Sequence, residues 1–149
     1  VADANIEATM NVGADKLFAA ICRYEDYPEF VTGVDSVRVE RKAQGHARVT
    51  YKLNIVKEIQ YTLDLTEEKI ESAGKTHYRV HWKLHDSDFF KSNNGSWEFE
   101  ESQPGKTQVK YAIAAEFKIP VPGFILKKII AGNLPGVIES FEKRARALK

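Results

Sequence analysis

The sequence has one cysteine, Cys22, among 149 residues, which excludes an internal disulfide framework. No Cys/His cluster has zinc-site spacing, so no structural metal is expected, and a reducing, cytoplasmic setting is the default. Missing too is any apolar run approaching the ~20 residues of a membrane span. The opening stretch "VADANIEATM" lacks the charged and apolar regions of a signal peptide, and the protein reads as soluble. Its start on Val1 rather than methionine leaves upstream processing open. Formal net charge is only +1, so there is no bulk attraction to nucleic acid. The positive charge that exists is uneven: Lys127, Lys128, Lys143, Arg144, Arg146 and Lys149 face only Glu139 and Glu142 in the last segment. Cations in a final helical turn suit the helix dipole, and a membrane-peripheral contact is the other use for them. No glycine-rich phosphate loop is present; "QGH", "SAG" and "NNG" read as turns. Without repeats, low-complexity stretches or linkers, residues 1–149 read as a single domain.

What is there is alternation. "ADANIEATM" places Ala4, Ile6, Ala8 and Met10 on one side at period two, predicting a first strand. The period then switches: Leu17, Phe18, Ile21 and Cys22 form an apolar stripe on a short helix with Gly13 or Asp15 near its start. A second short helix is expected at "EDYPEFV", with Asp26 as cap and Pro28 in the first turn. From Val34 to about Ile119 period two returns and predicts six strands in an antiparallel meander with one wet and one dry face. The dry rows carry Tyr51, Leu53, Tyr61, Leu63, Tyr78, Val80, Trp82, Trp97, Phe99, Tyr111, Ile113 and Phe117.

The strands are long. "HARVTYKLNIV" would span ~36 Å, and one helix from Pro122 to Leu148 would span roughly 40 Å. That helix is the only element long enough to cover the dry face, with Leu126, Ile130, Leu134, Ile138, Phe141 and Ala145 turned inward. Gly132, Asn133, Pro135 and Gly136 interrupt it, predicting either a kink at Pro135 or a fresh helical start capped by Asn133. Tyrosines on a dry face argue for a cavity rather than solid core, because each buried hydroxyl needs a partner that ligand or water supplies.

The order strand, two short helices, six strands, long helix resembles the helix-grip fold of the START-like SRPBCC superfamily. "YEDYPEFVTGVDSVRV" is similar to the segment after the first helix in its coenzyme-Q-binding branch and polyketide-cyclase/lipid-transport relatives, and "NNGSWEFEESQPGKTQVKYAIAAEFKIPVPGFILKKII" to their last two strands and helix start. The resemblance implies an α+β fold, a seven-stranded curved antiparallel sheet (β-α-α-β6-α) around a C-terminal helix, with an internal apolar cavity. It places Trp97 and Phe99 on a central strand facing that cavity, and "KIPVPGF" beside its mouth. After "YPEF" the chain runs Val31-Thr32-Gly33, departing from the Pro-Trp/Cys continuation of the quinone-binding branch.

The function expected is binding or transport of a hydrophobic small molecule, whether lipid, isoprenoid quinone or polyketide-like. An aromatic polyketide cyclase/dehydratase is the alternative, and a ribosome- or protein-interacting role the third. The ligand positions are the dry-row residues above with Leu126, Ile130, Leu134 and Ile138. Phe89, Phe90, Val121 and Phe124 are the expected portal, one ring of the Phe89-Phe90 pair pointing in and one out toward a membrane. No catalytic residue, cofactor or metal is assigned. A tyrosine is a poor base at neutral pH. His77, His81 and His85 on a strand stand ~13 Å apart, too far to share a metal. His46 follows a turn glycine, and Cys22 reads as core rather than nucleophile.

Overall fold

The computed structural model of the chain describes residues 2–55, 57–126 and 134–148. Strand β1 (Ala2–Met10) leads into helix α1 (Ala14–Cys22), a 3-10 turn (Tyr24–Asp26) and the single-turn helix α2 (Tyr27–Phe30). Six strands follow: β2 (Val34–Arg41), β3 (His46–Ile55), β4 (Lys57–Ser72), β5 (Lys75–Ser87), β6 (Phe90–Gln103) and β7 (Lys106–Phe117). Helices α3 (Gly123–Leu126) and α4 (Leu134–Ala147) complete the described chain. The seven strands form one antiparallel sheet in the order β1-β7-β6-β5-β4-β3-β2, a meander onto whose far edge the first strand adds.

Local chemistry explains the connections. Ala73 and Gly74 both take positive φ, 54° and 78°, in the two-residue link of β4 to β5, the mirror-image turn that matches strand twist. Pro104 precedes Gly105, at φ 77°, in the link of β6 to β7, which suits a turn with a left-handed third residue. Register shifts in the β2–β3, β4–β5 and β6–β7 pairings supply extra bend where a long flat sheet would not close round a helix. The outer face carries a row of alternating charge across neighbouring strands. Glu68 is paired in register with Arg79, Arg79 with Glu98, Glu98 with Lys110, and Lys110 with Glu7. These exposed pairs stabilise little, but a one-residue slip would turn the whole row inward, so they oppose misregister.

The inner face holds two clusters. The larger gathers Leu17 and Ile21 of α1, Val49, Val80, Val109, and Phe141 and Ala145 of α4. The smaller gathers Ile59, Phe89, Phe90 and Ala115 at the opposite end of the sheet. Tyr24 and Arg41 stitch the short helices to β4 through the Glu67 carboxylate, which accepts from the Tyr24 hydroxyl at 2.5 Å and from the Arg41 guanidinium at 3.0 Å. On α4, Arg144 reaches Asp26 at 3.3 Å and Glu29 at 3.1 Å.

Several expectations are corrected. "NNG" is not a turn: Asn93, Asn94 and Gly95 lie inside β6. The chain reverses instead after Ser87, whose hydroxyl oxygen accepts the backbone N–H groups of Phe89 and Phe90 at 3.0 Å each. That turn folds both rings inward, so Phe89 and Phe90 are 4% and 2% exposed rather than one in and one out. Asp26 precedes α2 without capping it by its side chain, being drawn to Arg144. Whether Gly132 and Asn133 belong to a kink or to a new helical start lies outside the described residues, as does Ile130.

Candidate functional site

Between the concave face of the sheet, the α2–β2 segment and α4 lies a cavity of about 180 Å³. Strand alternation points into it Tyr51 and Leu53 of β3, Tyr61 and Leu63 of β4, Val80 and Trp82 of β5, Trp97 of β6, and Tyr111 and Ile113 of β7. All nine belong to the dry rows read from the sequence. The walls are aromatic and braced. Tyr51 stacks on Tyr61 with ring centres 5.1 Å apart, Trp97 packs on Tyr111 at 4.6 Å, and Phe141 stands edge-on to Trp97 at 5.0 Å and to Tyr27 at 5.3 Å.

Other expected positions lie elsewhere. Tyr78 and Phe99 stack at 5.2 Å and are covered by Phe18 of α1, so that end of the sheet is solid core. Phe117 packs with Phe89 and Phe90 in the smaller cluster, and Leu126 rests on the same cluster. Ile138 is 9% exposed within the main core but does not line the cavity, and the side chain of Leu134 is outside the described residues. Of the expected portal, Phe89 is closed off beneath Lys57, whose ammonium lies 5.3 Å from its ring centre, and Phe90 is a wall of the cavity. Val121 is half-buried against the smaller cluster, and Phe124 alone stands out, 61% exposed.

The sequence reading did not assign Ile21, Tyr27, Val31, Thr32, Val34, Ile59, Leu65, Asn93, Val137 and Phe141 to the cavity, all of which line it. Asn93 carried a signal, since it stands at period two with Gly95, Trp97 and Phe99. Reading "NNG" as a turn hid it. Asn93 is 3% exposed and its side-chain oxygen accepts the indole N–H of Trp82 at 3.0 Å.

Among the described residues, the polar chemistry of the cavity is neutral: no carboxylate, imidazole, thiol, ammonium or guanidinium is among the described lining side chains. Burial pushes the phenols of Tyr51, Tyr61 and Tyr111 up from their ordinary value, and Tyr27 likewise, so all stay protonated at neutral pH. Tyr27 donates to the Ile21 carbonyl at 2.6 Å, whereas the hydroxyls of Tyr51, Tyr61 and Tyr111 have no partner among the described residues and are not sealed from the cavity. The arrangement can enclose an apolar body and donate hydrogen bonds to it; none of its described groups is poised to take a proton. Burial and then the Glu67 carboxylate raise the thiol of Cys22, which disfavours its thiolate. The histidines face outward, His81 3.1 Å from Glu68 and His85 3.6 Å from Asp64, and no three-group metal cluster occurs among the described residues.

The family described as polyketide cyclase/dehydrase and lipid transport matches residues 10–142. The chain belongs to this family. Members of the polyketide cyclase/dehydrase and lipid transport family take up hydrophobic small molecules or act as polyketide cyclases, and the seven-stranded helix-grip architecture described above is theirs. A START superfamily protein from Mycobacterium smegmatis is similar over 99% of both chains, with 16% identity and a TM-score of 0.77. A STAR-related lipid transfer protein from Xanthomonas axonopodis has a TM-score of 0.78 at 12% identity over 97% of this chain and 85% of its own. The Zhui aromatase/cyclase from Streptomyces sp. R1128 has a TM-score of 0.74 at 12% identity, over 97% and 93%. At such identities the likeness carries the fold alone. No curated protein sequence matches the chain. No helix among the described residues is long and apolar enough to cross a membrane.

Proposed function

We propose that residues 1–149 form one ligand-binding domain that encloses and carries a hydrophobic small molecule, without catalysing its conversion. The observation that carries this reading is the cavity wall: aromatic and aliphatic rows bordering about 180 Å³, with hydroxyl donors but, among the described residues, no group able to act as a base. Cyclisation of a polyketone needs a proton acceptor within reach of the reacting carbon, and phenols raised by burial are even less ionised at neutral pH than free tyrosine. Affinity would come from apolar burial, about 25 cal/mol per Å² before the costs of association. A wall whose described residues include neither cation nor anion also supports a partner that is a small molecule and not nucleic acid. The single half-buried thiol of Cys22 fits a cytoplasmic protein.

Protein purified from its own host, extracted with organic solvent and analysed by mass spectrometry, is expected to yield a stoichiometric hydrophobic compound. Titration of the emptied protein with that compound should change the fluorescence of Trp82 and Trp97, both in the wall. Recovery of no compound, together with unchanged fluorescence and melting temperature across hydrophobic ligands of increasing size, would reject the carrier reading. The cyclase reading draws on the hydroxyls of Tyr51, Tyr61 and Tyr111, which have no partner among the described residues. Turnover of a polyketone by the wild type, lost on Tyr61→Phe with binding retained, would replace carrier by enzyme.

A further inference from the structure

The cavity is polar in only one sense. Three hydroxyls, those of Tyr51, Tyr61 and Tyr111, open onto it with no acceptor among the described residues. A fourth donor follows from geometry. An indole N–H only donates, so the Asn93 atom 3.0 Å from Trp82 Nε1 is the amide oxygen, and the amide nitrogen is the end left over. Asn93 lines the cavity, and its nitrogen has no partner among the described residues. Tyr51 and Tyr61 are cross-strand neighbours on β3 and β4, while Tyr111 and Asn93 stand on β7 and β6, so the donors converge from two sides of one space.

We infer that the cavity selects a compact, neutral ring compound bearing ketone-type oxygens, in preference to a carboxylate or a plain hydrocarbon. The inference rests on the ligand-binding reading above and narrows it. A hydrocarbon would strand four donors away from water, and buried polar groups without partners are costly. A carboxylate would enter an apolar space with no cation among the described residues of its wall. A ketone or quinone oxygen accepts two hydrogen bonds without carrying charge. Size sets the rest: an engineered cavity of about 150 Å³ holds benzene, so about 180 Å³ holds one ring with a short substituent. A longer ligand would require the walls to part.

Acetophenone, ethylbenzene and benzoate share that size and differ only in the group tested, and isothermal titration calorimetry on the wild type and on Tyr51→Phe, Tyr61→Phe and Tyr111→Phe reads their affinities. Acetophenone is expected to bind at least as tightly as ethylbenzene, although its ketone must leave water, and benzoate at least tenfold more weakly than acetophenone. At least one Tyr→Phe variant should lower the acetophenone-to-ethylbenzene affinity ratio by about fivefold, the size of one hydrogen bond. Circular dichroism melts identify any variant that fails to fold, and the wild-type ranking stands independently of them. Ethylbenzene binding tenfold tighter than acetophenone, or a ratio unmoved in every folded variant, overturns the ketone preference and leaves the carrier reading intact. Benzoate binding tightest overturns the neutral-ligand inference. Failure of all three to bind overturns both the preference and the carrier reading at this size.

Discussion

Gly95→Ala tests how the cavity wall is built. Gly95 sits in β6 directly across from Trp82 in β5. A methyl group placed there would lie 2.2 Å from Trp82 Cζ2 and 2.6 Å from the Ala112 carbonyl oxygen. The first contact could be relieved by turning the indole away; the second is backbone and yields only by parting β6 from β7. Overpacking of this kind costs about 1–3 kcal/mol. If the indole turns, its N–H leaves the Asn93 oxygen, and a buried acceptor without a donor costs about 1–3 kcal/mol more. The expected loss is therefore about 2–6 kcal/mol, and at roughly 2–4 °C per kcal/mol the melting temperature should fall by about 4–24 °C. Gly123→Ala is the matched control, since nothing lies within 4 Å of its added carbon. Thermal melts followed by near-ultraviolet circular dichroism read both quantities, because displacement of Trp82 alters the aromatic signal even below the melt. If Gly95→Ala melts within about 1 °C of the wild type with the same near-ultraviolet spectrum, the packing argument fails.

Phe141→Ala should cost about 3–5 kcal/mol in denaturant melts and admit larger ligands to the cavity, because this ring braces Trp97, Tyr27 and Phe30 at once. Phe89→Ala should lose about as much, whereas Phe124→Ala should stay within roughly 0.5 kcal/mol; equal losses would contradict their opposite burial. Burial raises all six tyrosines, so the folded state keeps protons that the unfolded chain releases near pH ~10. Stability is then unaffected by these groups below about pH 10 and falls as pH rises through and beyond it, by up to about 1.4 kcal/mol per pH unit for each fully buried phenol. Tyrosinate absorbance should appear only with unfolding, and free titration of the folded protein near pH 10 would refute the burial assignments. Arg144→Met removes contacts to Asp26 and Glu29 that are partly exposed, so the loss should be below about 1 kcal/mol and should shrink in high salt.

Much of the architecture is legible in the chain because strand alternation is a local property. Val49, Tyr51 and Leu53, or Tyr61, Leu63 and Leu65, alternate with polar neighbours whatever they pack against, and each row does face inward. Two kinds of reading failed for lack of the third dimension. Turn chemistry is ambiguous where a polar, glycine-containing stretch also satisfies period two. "NNG" continues a strand because Gly95 makes room for the Trp82 ring, a cross-strand demand invisible along the chain. Position along a strand is equally mute. Tyr78 and Tyr111 look alike in sequence, yet α1 lays Phe18 over the first while the second is left facing open space.

By itself, then, the sequence determined the class of fold and the inward rows, both of which follow from residue type and spacing. Only the tertiary structure decided which stretch of each row borders a cavity and which is filled. That depends on where two separate helices cover the sheet, and on how Ser87 reverses the chain to bury Phe89 and Phe90 together. It also decided the polarity of the cavity, because an asparagine side chain declares which end it offers only when a fixed donor, here the Trp82 indole, claims the other.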